Sequence, residues 1–210
     1  MAVWTISAQE GTPGERVAAE LAAAADVPLY DRVGLAELAR RSEIELPELD
    51  QIEERFCGRY SYLMLMAAGA AAVPDTLSEL KLREALPELG RVILGEAARS
   101  ACVIEARAAF AVLQEHPTAV HVRLRAPFEH RVATYQREHL VDRHRAEKAV
   151  KHADHLHHAW VRTLYHLDVD DDSRFTLVLD ASRLSPDRIV EILLAAGGST
   201  RTDLESSSVR

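Results

Sequence analysis

Two stretches of this sequence carry residue types spaced for chemistry. The first is the turn Gly11-Thr12-Pro13-Gly14, set between the apolar run Ala2 to Ser7 and the alanine-rich run Glu15 to Ala25. A strand, a glycine-bearing turn and a helix in that order put loop N–H groups and a helix N-terminus where they can cradle a phosphate. The pattern G-x-x-x-x-G-K-[ST] is not there: Glu15 and Arg16 follow Gly14, and Pro13 removes one N–H donor. The same residues therefore also suit a plain strand–turn–helix junction. The second stretch is rich in histidine. All ten histidines lie between His116 and His166, and His152, His155, His157, His158 and His166 crowd one predicted helix and its end. His155 and His158 stand one turn apart, and with His152 or Asp154 they would make a metal-ligand set. No H-E-x-x-H motif and no neighbouring cysteine supports that set, and a polar helix face is the plainer reading.

The elements that must position these residues follow from periodicity. Ala2 to Ser7, Val27 to Tyr30, Ala101 to Glu105, Ala119 to Leu124 and Arg174 to Leu179 read as strands. Glu15 to Ala25, Val33 to Arg41, Leu49 to Ala72, Ser78 to Arg99, Ala106 to Gln114, Phe128 to Glu138, His144 to Tyr165 and Pro186 to Ala196 read as helices, with Pro87 expected to kink or divide the fourth. Strands that alternate with helices predict an α/β fold, a parallel sheet of about five strands covered on both faces. The apolar runs Cys102-Val-Ile104 and Phe175 to Leu179 suit strands buried on both sides. Ala119 to Leu124 alternates Val120, Val122 and Leu124 with His121 and Arg123, which predicts one wetter face. Ligands in such sheets bind beyond the carboxyl ends of the strands. That directs attention to residues 8–16, 30–32, 106–108, 125–131 and 180–183.

Composition bounds the rest. At 210 residues, 48% apolar and 28% charged, the chain suits one globular domain, read as residues 1–196 with a disordered tail at 197–210. A net charge of −8 argues against nucleic-acid and anionic-membrane partners. Two cysteines, Cys57 and Cys102, make no disulfide framework and fit a reducing compartment. The N-terminus lacks a basic region before an apolar run, and the apolar stretch Leu63 to Val73 is too short to span a bilayer. A soluble, cytoplasmic protein is the expectation. The surplus apolar surface of Leu49 to Ala72 and Ser78 to Arg99 would also support a homodimer.

Several motifs taken together go further. Ile6-Ser-Ala-Gln-Glu-Gly-Thr-Pro-Gly-Glu-Arg-Val-Ala18, then Val27-Pro-Leu-Tyr-Asp-Arg32, resembles the opening of the cytidylate kinase-like family. Cys102-Val-Ile-Glu-Ala-Arg-Ala-Ala109, His121-Val-Arg-Leu-Arg-Ala-Pro-Phe-Glu-His-Arg-Val132 and Phe175-Thr-Leu-Val-Leu-Asp-Ala-Ser-Arg-Leu184 are similar to later motifs of that family, in the same order. Ala146 to Tyr165 resembles its lid helix. The resemblance implies a P-loop nucleoside monophosphate kinase fold with a helical lid at about 127–168. It implies transfer of the γ-phosphoryl group of ATP, with Mg²⁺, to CMP or a similar nucleotide. Catalysis of that kind is positioning and charge neutralisation. The implied roles are Gly11, Thr12, Gly14 and Arg16 on the ATP phosphates, Asp31 and Arg107 on the acceptor, and Arg131, Arg137 and Asp154 as catalytic residues of the lid. Arg183 would lie near the adenine side. Arg55 and Arg59, one helical turn apart, could face an acceptor pocket, but a solvent-facing or salt-bridge role is the plainer reading.

The sequence also departs from the family pattern. Ala8 replaces the early arginine, Pro13 a loop glycine, Glu15 the loop arginine, Ala106 the glycine before Arg107, and His157 the lid arginine. Histidine is mostly neutral at pH 7 and substitutes poorly for a permanent cation. Two functions stay open on the sequence: an ATP-dependent nucleoside monophosphate kinase, or a nucleotide-binding or regulatory module of the same fold with impaired catalysis.

Overall fold

The structure is a computed structural model that describes residues 2–41 and 76–198. The expected helix from Leu49 to Ala72, with Arg55, Arg59 and Cys57, lies outside the described residues. Five strands form one parallel sheet: β1 (Val3–Ala8), β2 (Leu29–Tyr30), β3 (Cys102–Glu105), β4 (Ala119–Arg125) and β5 (Leu177–Asp180). Their order across the sheet is β2-β3-β1-β4-β5. The described helices are α1 (Gly14–Ala25), α2 (Arg32–Arg41), α3 (Thr76–Ala97), the single turn α4 (Ala109–Val112), α5 (Phe128–His139), α6 (Arg143–Tyr165) and α7 (Pro186–Gly198). Among the described residues, none of these helices is long and apolar enough to cross a membrane.

The period-two pattern of β1 sorts its side chains between two layers. Trp4 and Ile6 join Val17, Leu21, Val122, Leu124, Ile189 and Leu193 in the core beneath α1 and α7. Val3 joins Ile93, Leu94, Ala97, Cys102, Ile104 and Leu113 in the core beneath α3 and α4. Ile6, Leu21 and Leu193 are wholly excluded from water, and each such side chain contributes about 1.5–3 kcal/mol. A third cluster seats the C-terminal half of α6: Phe110, Val161, Val169 and Phe175 pack together, with the two phenylalanine rings 4.5 Å apart.

The structure corrects several expectations. The helix predicted from Ala106 to Gln114 shrinks to Ala109–Val112, because the Ala106 N–H is drawn to the Ile6 carbonyl of β1 at 3.3 Å. Pro87 lies inside α3 without dividing it. The last strand starts at Leu177, since Asp171 caps a 3₁₀ turn over Asp172–Arg174 by accepting from Ser173 N. Being an edge strand, β5 is only half-buried. His121 and Arg123 do not form a wet face of β4; both are buried, on the side of the sheet that carries Thr5 and Ser7. The Thr5 hydroxyl meets His121 Nδ1 at 2.7 Å, and Arg123 donates to Ser7 Oγ at 3.0 Å.

α7 continues through Gly197 and Gly198, two residues the sequence assigned to the tail. The reason is Trp4. Its indole N–H donates to the Leu193 carbonyl at 2.9 Å, and its ring lies where a Cβ on Gly197 would come within 2.0 Å. Only glycine lets the helix end rest on that ring. Gly197→Ala is expected to destabilise the protein by about 1–3 kcal/mol, the usual cost of overpacking. Urea denaturation measures it, and a neutral result would mean that residue 197 is not docked on Trp4.

Candidate functional site

The chain reverses its direction of travel across the sheet at β1, which lies between β3 and β4. That switch point opens a crevice at the carboxyl ends of the strands. The loop from Gln9 to Pro13 occupies it. Gly11 has φ +79°, and a Cβ there would lie 2.5 Å from the Arg131 carbonyl oxygen, so the loop touches the start of α5 through a position only glycine fills. Gly14 packs against Ala8.

Two clefts flank this loop. One, of about 590 Å³, runs between the loop and α5, with His130, Thr134, Arg137, Glu138 and His139 on its far wall. The other, of about 390 Å³, lies between the loop, α2, α3 and α6. Arg32, Arg107, Leu35, Ile93, Trp160 and Tyr165 line it. Ala8, Glu10, Glu15 and Glu105 belong to both.

The expected site residues separate into groups. Arg131 and Asp154 are brought together as an ion pair. Arg131 is nearly excluded from water and donates to both Asp154 carboxylate oxygens at 2.9 and 2.8 Å, to Ala126 O at 3.1 Å and to Glu10 O at 3.3 Å. Its donors therefore face protein acceptors. Arg137 lines the first cleft, 3.5 Å from Thr134 Oγ1. Arg107 lines the second. Asp31 is not among the lining residues of either cleft; it caps α2 by accepting from Gly34 N at 2.8 Å. Arg183 pairs with Asp180 and also lines neither cleft.

Gly11, Thr12, Gly14 and Arg16 all line the first cleft, and several of their donors are used within the protein. Thr12 N and Oγ1 both donate to Gln9 O, at 3.1 and 2.6 Å, and Gly14 N donates to Thr12 O at 2.9 Å. Pro13 has no N–H. Arg16 gives its guanidinium to Glu20 at 2.6 Å and to Asp187 at 3.5 Å. Three carboxylates, Glu10, Glu15 and Glu105, stand beside the loop instead. Burial raises the Glu10 pKa, and burial first, then the charges of Glu15 and Asp31, pushes Glu105 up to about 7. A triphosphate needs inward N–H groups and cations along this loop. This donor set does not fit one.

The histidines resolve differently from their spacing. His152 and His155 are exposed and do not converge with His158. Among the described residues, the one His/Asp/Glu/Cys group with ligand atoms within 4.8 Å of one another is His158, Asp168 and Asp170. There His158 Nε2 lies 2.7 Å from Asp170, whose other oxygen is 3.7 Å from the buried Arg123. His157 is buried beneath α6. The site residues that sequence reasoning missed are Glu10, Glu105, Arg32, Trp160 and Tyr165. Glu105 ends an apolar strand, which was a usable signal; the others are brought to the clefts only by packing.

A sequence model of the cytidylate kinase-like family matches residues 3–183. Among solved structures, an uncharacterised protein from Eubacterium ventriosum ATCC 27560 is similar with a TM-score of 0.61 at 18% identity, covering 92% of this chain and 98% of that one. A gluconokinase from Sinorhizobium meliloti 1021 has a TM-score of 0.51 at 12% identity, with 94% and 91% covered. At such identities the likeness is one of fold. No curated protein matches the chain by sequence.

Glu105 generates a pH prediction. Its carboxyl holds a proton more tightly in the folded protein than in the unfolded chain. The associated stability is complete below the ordinary glutamate pKa and is lost as pH rises through about 7. Glu105→Gln is therefore expected to match the parent at pH 4 and to exceed it at pH 8 by on the order of 1–3 kcal/mol. Denaturant titrations at the two pH values check this, and equal stability at pH 8 would rule out a buried, ionisable Glu105.

Proposed function

The chain belongs to the cytidylate kinase-like family, and we propose that it serves as a nucleotide-binding module that holds a nucleoside monophosphate such as CMP beside Arg107 without transferring phosphoryl from ATP. Its family and its fold are kinase-like. The observation that carries the proposal is the contrast between the two clefts. The second brings Arg32 and Arg107 together with an apolar wall of Leu35 and Ile93 and two aromatic residues, Trp160 and Tyr165. Arginine forks suit a phosphate dianion, and aromatic faces suit a base. On the other side the loop has Pro13 and Glu15, and Arg16 is bound by Glu20 and Asp187. A γ-phosphoryl group there would stand beside Glu10, Glu15 and Glu105, with Arg16 held by Glu20 and Asp187, no lysine following Gly14, and Arg137 as the facing arginine.

One observation favours the second reading, an active kinase that moves phosphoryl from ATP to a CMP-like acceptor with Mg²⁺. The two clefts meet at the loop, sharing Ala8, Glu10, Glu15 and Glu105, as donor and acceptor sites must. In that reading Gly11, Thr12, Gly14 and Arg16 attend the donor and Arg137 the transferring group.

Calorimetry with CMP, the other common monophosphates and ATP, alongside a coupled ADP-release assay, separates the readings. We expect CMP-class binding, no ADP release above a blank, and weakening of the monophosphate by about 10- to 150-fold in Arg107→Ala, the scale of a charge-assisted hydrogen bond of 1.5–3 kcal/mol. Arg107→Lys should recover only part, because a point charge does not copy the guanidinium fork. Acceptor-dependent ADP release would establish the kinase instead. Absence of monophosphate binding would sink the acceptor-side placement.

A further inference from the structure

Helix α6 lays one buried imidazole against the sheet. His157 is 5% exposed. Its Nε2 lies 3.0 Å from the Arg107 carbonyl oxygen and 3.4 Å from Ser7 Oγ, and its Nδ1 lies 3.5 Å from an Arg123 guanidinium nitrogen. A guanidinium only donates and a carbonyl only accepts. Those two neighbours set the tautomer: Nδ1 bare, Nε2 carrying the hydrogen, the ring uncharged. Burial first, and then the Arg123 charge, push the His157 pKa down to about 3, so the ring keeps that form across neutral pH.

The bond to Arg107 matters because it reaches, from α6, the backbone of a connecting segment at the carboxyl end of β3. Residues 106–108 form a loop between β3 and the single turn α4, tied to β1 by the Ala106 N–H to Ile6 O bond. The Arg107 side chain lines the second cleft, and so do Trp160 and Tyr165, which lie on α6 beyond His157. We propose that His157 is a positioning residue: by donating to the Arg107 carbonyl it directs the Arg107 side chain into the second cleft and ties that direction to the seating of α6. The position the family gives to a lid cation thus holds a neutral strut in this chain. The ligand arm of the following test rests on the acceptor-side reading given above; the exchange arm does not.

The test compares the full chain with His157→Gln, His157→Asn and His157→Leu. The glutamine amide N–H reaches the place of Nε2, whereas asparagine is too short and leucine has no donor. In hydrogen exchange without nucleotide, the asparagine and leucine variants should exchange about tenfold faster at residues 106–109 while β1 and β4 keep their protection, and the glutamine variant should resemble the parent. In a double-mutant cycle with CMP as probe, His157→Asn should weaken binding about 5- to 20-fold in the parent and add nothing in an Arg107→Ala background. Unchanged exchange at 106–109, a rise spread evenly through the sheet, a glutamine variant that behaves like leucine, or losses at 107 and 157 that simply multiply would each overturn the proposal. Should leucine fail to fold, the asparagine and glutamine pair still decides it. Should the parent not bind CMP, the acceptor reading falls and the exchange arm alone decides whether His157 positions Arg107.

Discussion

Arg131 is almost wholly excluded from water, and the carboxyl edge of the sheet is arranged to satisfy its donors. It takes both oxygens of Asp154 on α6, the Ala126 carbonyl at the end of β4 and the Glu10 carbonyl of the loop after β1. A guanidinium buried in this way must be paired, and removing one partner of such a pair costs about 3–5 kcal/mol. One side chain therefore fixes the loop, the strand end and α6 relative to one another. It also means that this cation beside the crevice is already neutralised by the protein.

The same accounting governs the layer beneath. Arg123, Ser7, His157, Thr5 and His121 are buried polar groups on one face of β1 and β4. Each has a partner: Arg123 donates to Ser7, Thr5 pairs with His121, and His157 bridges Arg123 and the Arg107 carbonyl. Polar groups at such depth are tolerated only when hydrogen-bonded. This seam is why α6 can cover a face of the sheet that is not apolar. It also leaves Arg123 as a buried charge paired with the Asp170 carboxylate at 3.7 Å.

What results is an asymmetric crevice. On the α5 side, the Thr12 and Gly14 N–H groups bond within the loop, and Glu10, Glu15 and Glu105 stand where the two clefts meet. Burial and mutual repulsion raise the Glu10 and Glu105 pKa values. On the α2–α3–α6 side, arginine, aliphatic and aromatic side chains share one cleft.

Much of this was legible in the chain itself. Period-two runs and glycine-bearing turns located all five strands, and the parallel sheet follows from their alternation with helices. The loop at Gly11 to Gly14 was visible because Gly11 and Pro13 can sit only in a turn, and its lack of a lysine was plain. Arg107 was visible as a cation just past a strand end. Sequence could not show what a residue's neighbour would be. Asp31 looked like an acceptor ligand and caps α2; Arg131 and Asp154 looked catalytic and pair with each other; His121 and Arg123 looked wet and are buried. The Asp31 cap is local, three residues from Gly34, but the other outcomes depend on groups far away in the chain, 23 residues apart for Arg131 and Asp154 and 116 for Arg123 and Ser7. Local pattern determines which elements form, because backbone propensity and side-chain period act within a few residues. Whether a charge faces a ligand or another residue is decided only when the sheet order and the seating of α6 bring distant donors and acceptors into one dry space.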